Sequence, residues 1–228
     1  MRSLLLALSA AALAISSTAG FADEPATWDG LVHVKSKKVE ALYLLPNADF
    51  RPYTQVMFDP PQVAFRKNWV EDYNDSQDDL DNQVSNSYVK NAIALAQKYI
   101  TKTFPQTFGQ SGLTIATAPG PHVLRLGVYI LDLSVAAPDV GGSIGATFSA
   151  DAGSATFAIE ARDSQTGQLL GRAVDAQAAG DTGAYQRNYS TNVGDFENLF
   201  KTWAQISAKG FEQLRSSSPI NTAGIQKK

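Results

Sequence analysis

Cysteine is absent from all 228 residues. Neither a disulfide nor a lipid-bearing cysteine can therefore hold this protein in place, and its fold must rest on its own core. Histidine is almost absent: His33 and His122 are the two in the chain. They stand alone, without HxxxH spacing, so a zinc site would need distant carboxylates, and His122, ahead of an apolar run, reads as structural. Basic residues are too few for non-specific nucleic-acid binding. Nineteen Lys and Arg stand against 22 Asp and Glu, for a net charge of −3, whereas nucleic-acid binding needs a basic surface. The one basic run, Lys35-Ser36-Lys37-Lys38, reads as a solvated edge rather than a lipid or nucleic-acid site. No GxxxxGK and no GxGxxG after a strand is present, so no nucleotide is expected, and neither cofactor nor metal is assigned.

Long apolar runs are also lacking, with one exception. Residues 4–15 are apolar apart from Ser9, behind Met1 and Arg2 and ahead of Gly20, Phe21, Ala22 and the first acids, Asp23 and Glu24. A positive start, a short apolar stretch and small residues at the cut form the secretory pattern. The run is too short to span a bilayer, which takes about 20 residues. The expectation is a signal peptide over 1–22, cleaved after Ala22. The mature chain would then be periplasmic, associated with the outer membrane or secreted, without a stable membrane anchor. About 206 residues remain, enough for one core.

The pattern along the chain predicts a single domain over 23–218 and a disordered tail over 219–228. Trp28 and Leu31 are expected to tuck against the body. Strand formers occupy 39–45, and a longer extended stretch covers 53–65, broken by Pro60-Pro61. Neither proline can donate to a ladder, which marks a bulge or an edge. From Glu71 to Asp81 the chain carries six acids and no base, read as a solvated acidic loop that also favours the start of a following helix. Val89, Ala92, Ile93, Ala96 and Ile100 then recur at helical steps, with Lys98 and Lys102 near the expected helix end. Residues 103–121 read as a connection. The 122–134 run is almost continuously apolar, as suits a central strand covered on both faces. Ala155, Phe157, Ile159 and Ala161 alternate with more polar neighbours, and Asp163-Ser164-Gln165-Thr166-Gly167 turns the chain into a partner strand over 168–176. That partner's inward face is ambiguous, because Leu169 and Leu170 point opposite ways. After a polar loop between Gly180 and Gly194, Phe196, Leu199, Phe200, Trp203, Ile206 and Leu214 trace the stripe of a last helix, with Asp195 as its N-cap. Two helices on one face of a mostly antiparallel sheet bury all these stripes, so the fold class is α+β in two layers.

Four segments carry a resemblance: Tyr53-Thr-Gln-Val-Met-Phe-Asp-Pro60, Pro119-Gly-Pro-His-Val-Leu-Arg-Leu126, Ala158-Ile-Glu-Ala-Arg-Asp-Ser-Gln-Thr-Gly-Gln168 and the Trp203-Ala204 pair. In this order and spacing the chain resembles the bacterial domain-of-unknown-function family 3313, a set of exported periplasmic proteins and lipoproteins. The resemblance covers nearly all of the mature chain. It implies the compartment and the fold class and supplies no catalytic residues. This chain departs from the lipoprotein members by lacking the cysteine.

Three chemical patterns fail on context. Gly141-Gly142-Ser143-Ile144-Gly145 matches a nucleophile elbow, but the elbow needs a strand before it and a helix after it. Here a strand-like stretch follows, and no histidine lies downstream. Asp181-Thr182-Gly183 spells an aspartic-protease signature, but it sits in a polar loop without a second copy. Asp72, Asn74, Ser76 and Asp78 step by two like a calcium loop, yet Gln77 and Gln83 stand where glycine and glutamate belong. Weak calcium association is the most that this segment offers. The expected function is thus a non-enzymatic binding or accessory protein of the envelope, its partner an envelope protein or a cell-wall component. The candidate contact regions are the Pro60-Pro61 edge, the Gly141 to Gly145 loop and the Gly180 to Gly194 loop. A periplasmic hydrolase using Ser143 or Asp181 and a small-ligand carrier are the alternatives. Oligomeric state is not encoded in any of these features.

Overall fold

The computed structural model describes residues 25–140, 148–180 and 183–222. The expected signal peptide, Ser143 with its glycine loop, and Asp181 lie outside them. The fold is α+β: a nine-stranded mixed sheet, mostly antiparallel, with helices on one face.

At the centre lies β7 (Val123–Val135). On one side it pairs antiparallel with β9 (Gly153–Asp163), which pairs in turn with β10 (Leu169–Ala179). This is the expected hairpin, and Gly167 supplies the positive φ of its turn. The Asp163 carboxylate accepts from the N–H groups of Gln165 and Thr166 and from the Tyr53 hydroxyl, which holds it below the usual carboxylate range; the Thr166 N–H is the largest cause. The ladder shifts register between Leu169 and Gly171, so two adjacent leucines need not follow strict alternation. β3 (Ala41–Leu44) extends the sheet beyond β10, followed by β2 (Leu31–Val34) and β1 (Thr27–Trp28). Leu31 is buried, as expected, and the edge of the Trp28 ring meets Tyr43.

The other flank of β7 is parallel. β4 (Gln55–Phe58) and β5 (Gln62–Phe65) lie end to end along it, opposite Val123 to Leu126 and Tyr129 to Leu133 respectively. Pro60-Pro61 is the break between them, as the missing N–H groups require. The short β6 (Thr114–Ile115) borders β4.

A parallel pair needs a crossover, usually a helix. Two helices serve here: α1 (Trp69–Asp75) and α2 (Asn86–Gln110). The acidic stretch is therefore not a loop throughout, since Glu71 to Asp75 are helical around the buried Trp69. The first long helix starts at an N-cap of Ser85, and it does not stop near Lys102. Pro105 costs a helix interior about 3 kcal/mol. Phe104 and Phe108 continue the Ala96–Ile100 stripe and are fully buried, each contributing about 1.5–3 kcal/mol, so the helix runs through the proline.

The final helix, α3 (Tyr189–Ser217), begins seven residues earlier than its apolar stripe. Asn188 and Thr191 form its capping box, so Asp195 lies within the helix and is not its cap. Trp203 is the centre of the core. Its ring stacks on Phe157 at 5.1 Å, and its indole N–H donates to Asp175 at 2.8 Å. The opposite sheet face is left partly open, so β7 is covered fully on one side only: Arg125 and Asp132 are exposed there.

The packed domain also extends beyond Ser218. Ile220 is buried, donates to the Ala48 carbonyl and accepts from Asn47, so the boundary expected at 218 falls inside the fold. Residues 223–228 of the expected tail lie outside the described residues.

Candidate functional site

Two clefts flank α3. The smaller, about 210 Å³, lies where α2 and α3 meet the end of β7. Phe196 and Phe200 line it from α3 and Tyr88 and Tyr99 from α2, while Tyr189, Asp139 and Glu197 add polar groups. Among the described residues, its lining holds two acids and no base. Tyr88 is pushed up to about 12, first by burial and then by Tyr73, Asp139 and Tyr189. Asn192 is buried here: its amide donates to the Ala137 carbonyl at 2.8 Å, and its carbonyl oxygen has no partner.

The larger cleft, about 500 Å³, opens between the other flank of α3 and the sheet face formed by β3, β10, β9 and β7. Leu42, Ile159, Ala161 and Ala173 form half-buried parts of its sheet wall, and Ile206 and Leu214 are half-buried on the helix. Gly210 also lines it, and a side chain added at Gly210 would meet nothing within 4 Å. Lys35, Lys38 and Lys209 line the cleft and are exposed. Among the described residues, no Asp or Glu lines it. Arg172 contributes to the lining as well, but its guanidinium is buried against Glu160, Asp29 and the Trp28 ring. The basic run read as a plain solvated edge thus borders a cavity. Its neighbour on α3, Lys209, lies more than 170 positions away in sequence, which hid the association.

A third feature joins the short β8 (Phe148–Ser149) and β11 (Tyr185–Gln186) to the start of α3. Arg187 is buried, pairs with Asp195 and donates from Nε to the Ser149 carbonyl. Tyr185 donates to the same Asp195 carboxylate, which raises the tyrosine above its ordinary value. Gly180 is required beneath this cluster: φ is +91°, and a Cβ would come within 2.5 Å of Asp195. Much of the region between Gly180 and Gly194 is therefore ordered structure and not a polar loop.

The remaining sequence candidates do not assemble. Pro61 is buried, and its carbonyl accepts from Gln97 of α2, so that edge is tied to the helix layer. The Asn74 side chain is occupied by the Val84 backbone at 2.8 and 3.0 Å. Ser76 donates to the Tyr73 carbonyl, and Asp72 faces Arg66. His33 packs beside Tyr43, with ring centres 5.1 Å apart, whereas the His122 carbonyl receives the Thr54 and Gln55 N–H groups. Among the described residues, no group of three or more His, Cys, Asp or Glu is placed to hold a metal ion. Among them, too, no helix is long and apolar enough to cross a membrane.

Residues 18–206 match the family model described as "Protein of unknown function (DUF3313)". The chain belongs to this family. No curated protein matches the sequence. Solved structures similar to it include protein XCC0632 from Xanthomonas campestris, described under DUF330, at 12% identity and a TM-score of 0.45, covering 76% of this chain and 91% of that one. A neuraminyllactose-binding hemagglutinin homolog from Helicobacter pylori aligns at 11% identity and a TM-score of 0.38, over 75% of this chain and 96% of that one. A PelC dodecamer from Paraburkholderia phytofirmans aligns at 10% identity and a TM-score of 0.35, over 72% and 93%.

Proposed function

We propose that this member of the DUF3313 family is a non-enzymatic binding protein of the bacterial envelope, and that the larger cleft beside α3 is its binding element. The cleft carries the reading. Its volume of about 500 Å³ falls in the range of small-molecule sites, about 300–1,000 Å³. Its walls come from rigid sheet and helix, and half-buried apolar side chains line it. Within the binding class, this favours a small ligand over an envelope protein or cell-wall component held by loops. The envelope address rests on the secretory pattern of residues 1–22. The hydrolase alternative rests on Ser143 and Asp181, which lie outside the described residues.

The test is a thermal-shift panel of chemically diverse small molecules on the mature chain, repeated with Gly210→Leu. A ligand that binds only the folded state raises Tm. The expected result is a rise with at least one class, smaller in Gly210→Leu, whose new side chain enters the cleft. A flat panel, together with capture of one reproducible protein partner by crosslinking in intact envelopes, would transfer the function to a protein interface.

A further inference from the structure

We propose that the larger cleft takes a single-chain anionic amphiphile as a monomer: one acyl chain lying along the apolar wall, with a carboxylate head at the lysine rim. This rests on the reading of the chain as a binding protein and adds the chemical class of what it binds.

The charge distribution is the decisive observation. The protein has more acids than bases, 22 against 19. Yet Lys35, Lys38 and Lys209 line this cleft and, among the described residues, no acid does. Glu40 and Glu212, the acids nearest in sequence to those lysines, are absent from its lining. The smaller cleft on the other side of the same helix shows the reverse, two acids and no base. A general surplus of lysine therefore does not explain the rim. Lysines suit this role because their aliphatic stems cover apolar wall while the ammonium stays in water, where it can meet a carboxylate in a charge-assisted hydrogen bond.

The apolar part of the ligand follows from the wall. Leu42, Ile159, Ile206 and Leu214 are half-buried, so apolar area remains open to a chain laid against them. Deeper in the cleft, Leu124, Leu126, Phe108 and Phe211 are already buried and shape its floor. Apart from the paired Arg172, the sheet wall and floor are apolar, and polar side chains such as Thr202, Gln205, Ser207 and Gln213 come from α3, which suits methylene groups laid against the sheet better than sugar or nucleotide. A neutral chain would satisfy the wall and leave the rim unused; a cationic head would be repelled.

The experiment measures binding of 11-(dansylamino)undecanoic acid to the full mature chain by fluorescence. Palmitate, hexadecanol and hexadecyltrimethylammonium then compete, all below their micelle concentrations. Palmitate is expected to displace the probe best and the cationic amphiphile least. Replacing all three lysines (Lys35→Glu, Lys38→Glu, Lys209→Glu) should weaken palmitate about tenfold and hexadecanol much less, because each exposed charge pair contributes little and three act together. An unchanged Tm in the triple variant shows that its fold survives. Equal displacement by all three competitors, unaffected by the triple variant, would overturn the anionic class and leave the binding reading standing. Co-sedimentation with phosphatidylglycerol vesicles and no affinity for monomeric palmitate would assign the rim to a bilayer surface and overturn the monomer proposal. Failure of the probe to bind, with a flat thermal-shift panel as well, would overturn both.

Discussion

The two clefts beside α3 share a wall and differ in almost everything else. One is small, lined by tyrosine and phenylalanine and bordered by Asp139 and Glu197; the other is more than twice its volume, lined by aliphatic side chains and phenylalanine without tyrosine among the described residues, and bordered by lysines. Both are apolar inside, so apolarity does not separate them. What separates them is the sign of charge at the rim and the neighbour that closes each side. On the α2 side a second helix packs against α3, and aromatic rings fill most of the gap. On the β3 side no helix follows, and the sheet face is left partly uncovered. The larger cavity is thus a consequence of having two long helices on a sheet wide enough for more.

The largest expected effect removes the shared wall. Trp203→Ala deletes a fully buried ring and removes one of the two donors to the Asp175 Oδ2, leaving that of Gln177. It should cost about 3–5 kcal/mol in urea unfolding, and it should erode both clefts together. A loss confined to one cleft would show that α3 is not a common wall.

The next effect belongs to the smaller cleft. Tyr88 keeps its proton in the folded chain until about pH 12, whereas an unfolded tyrosine loses it near pH 10. Between those values the folded state binds more protons. The stabilisation is therefore complete below about pH 10 and is lost as pH rises toward 12. Tyr88→Phe should flatten the fall in stability over that window by up to about 2 kcal/mol, read from urea melts at stepped pH. Buried Tyr53 is raised as well, chiefly by desolvation, so the difference between native chain and variant is the meaningful quantity.

Gly210→Ala should act on the larger cleft alone. Alanine is better than glycine in a helix interior by up to about 1 kcal/mol, and the added methyl enters open space. The expected result is a slightly higher Tm with weaker probe binding. The smallest effect serves as the control. Asp72→Ala removes an exposed 3.6 Å pair with Arg66 and should change stability by less than about 0.5 kcal/mol, with probe binding unaltered.

Much of the layer structure was legible in the sequence, because burial imposes periods. The 155–161 alternation, the turn at Gly167 and the α3 stripe each follow from one local rule, and α+β follows from their sum. Local rules also misled. Residues 103–121 read as a connection, yet Phe104 and Phe108 are buried and the helix runs through Pro105 to Gln110. Gly194 reads as loop although the Asn188 capping box carries the helix through it. The acidic run hides α1, because the one buried residue of that helix, Trp69, precedes the run. The parallel pairing of β4 and β5 with β7 has no local signal at all. Nor does the larger cleft: residues near 35–44 and 202–221 meet only after the sheet has formed. Lys35 and Lys38 were visible as a basic run, but what they border was not.

The short connection between Ile220 and the 47–48 backbone has a further meaning. Ile220 and Asn221 both line the larger cleft, while Ile220 completes the domain through hydrogen bonds with Asn47 and Ala48. The last described residues thus serve at once as a closure of the architecture and as part of the cleft's contour. A substitution at Asn221 would redraw that contour while leaving sheet register and helix packing as they are.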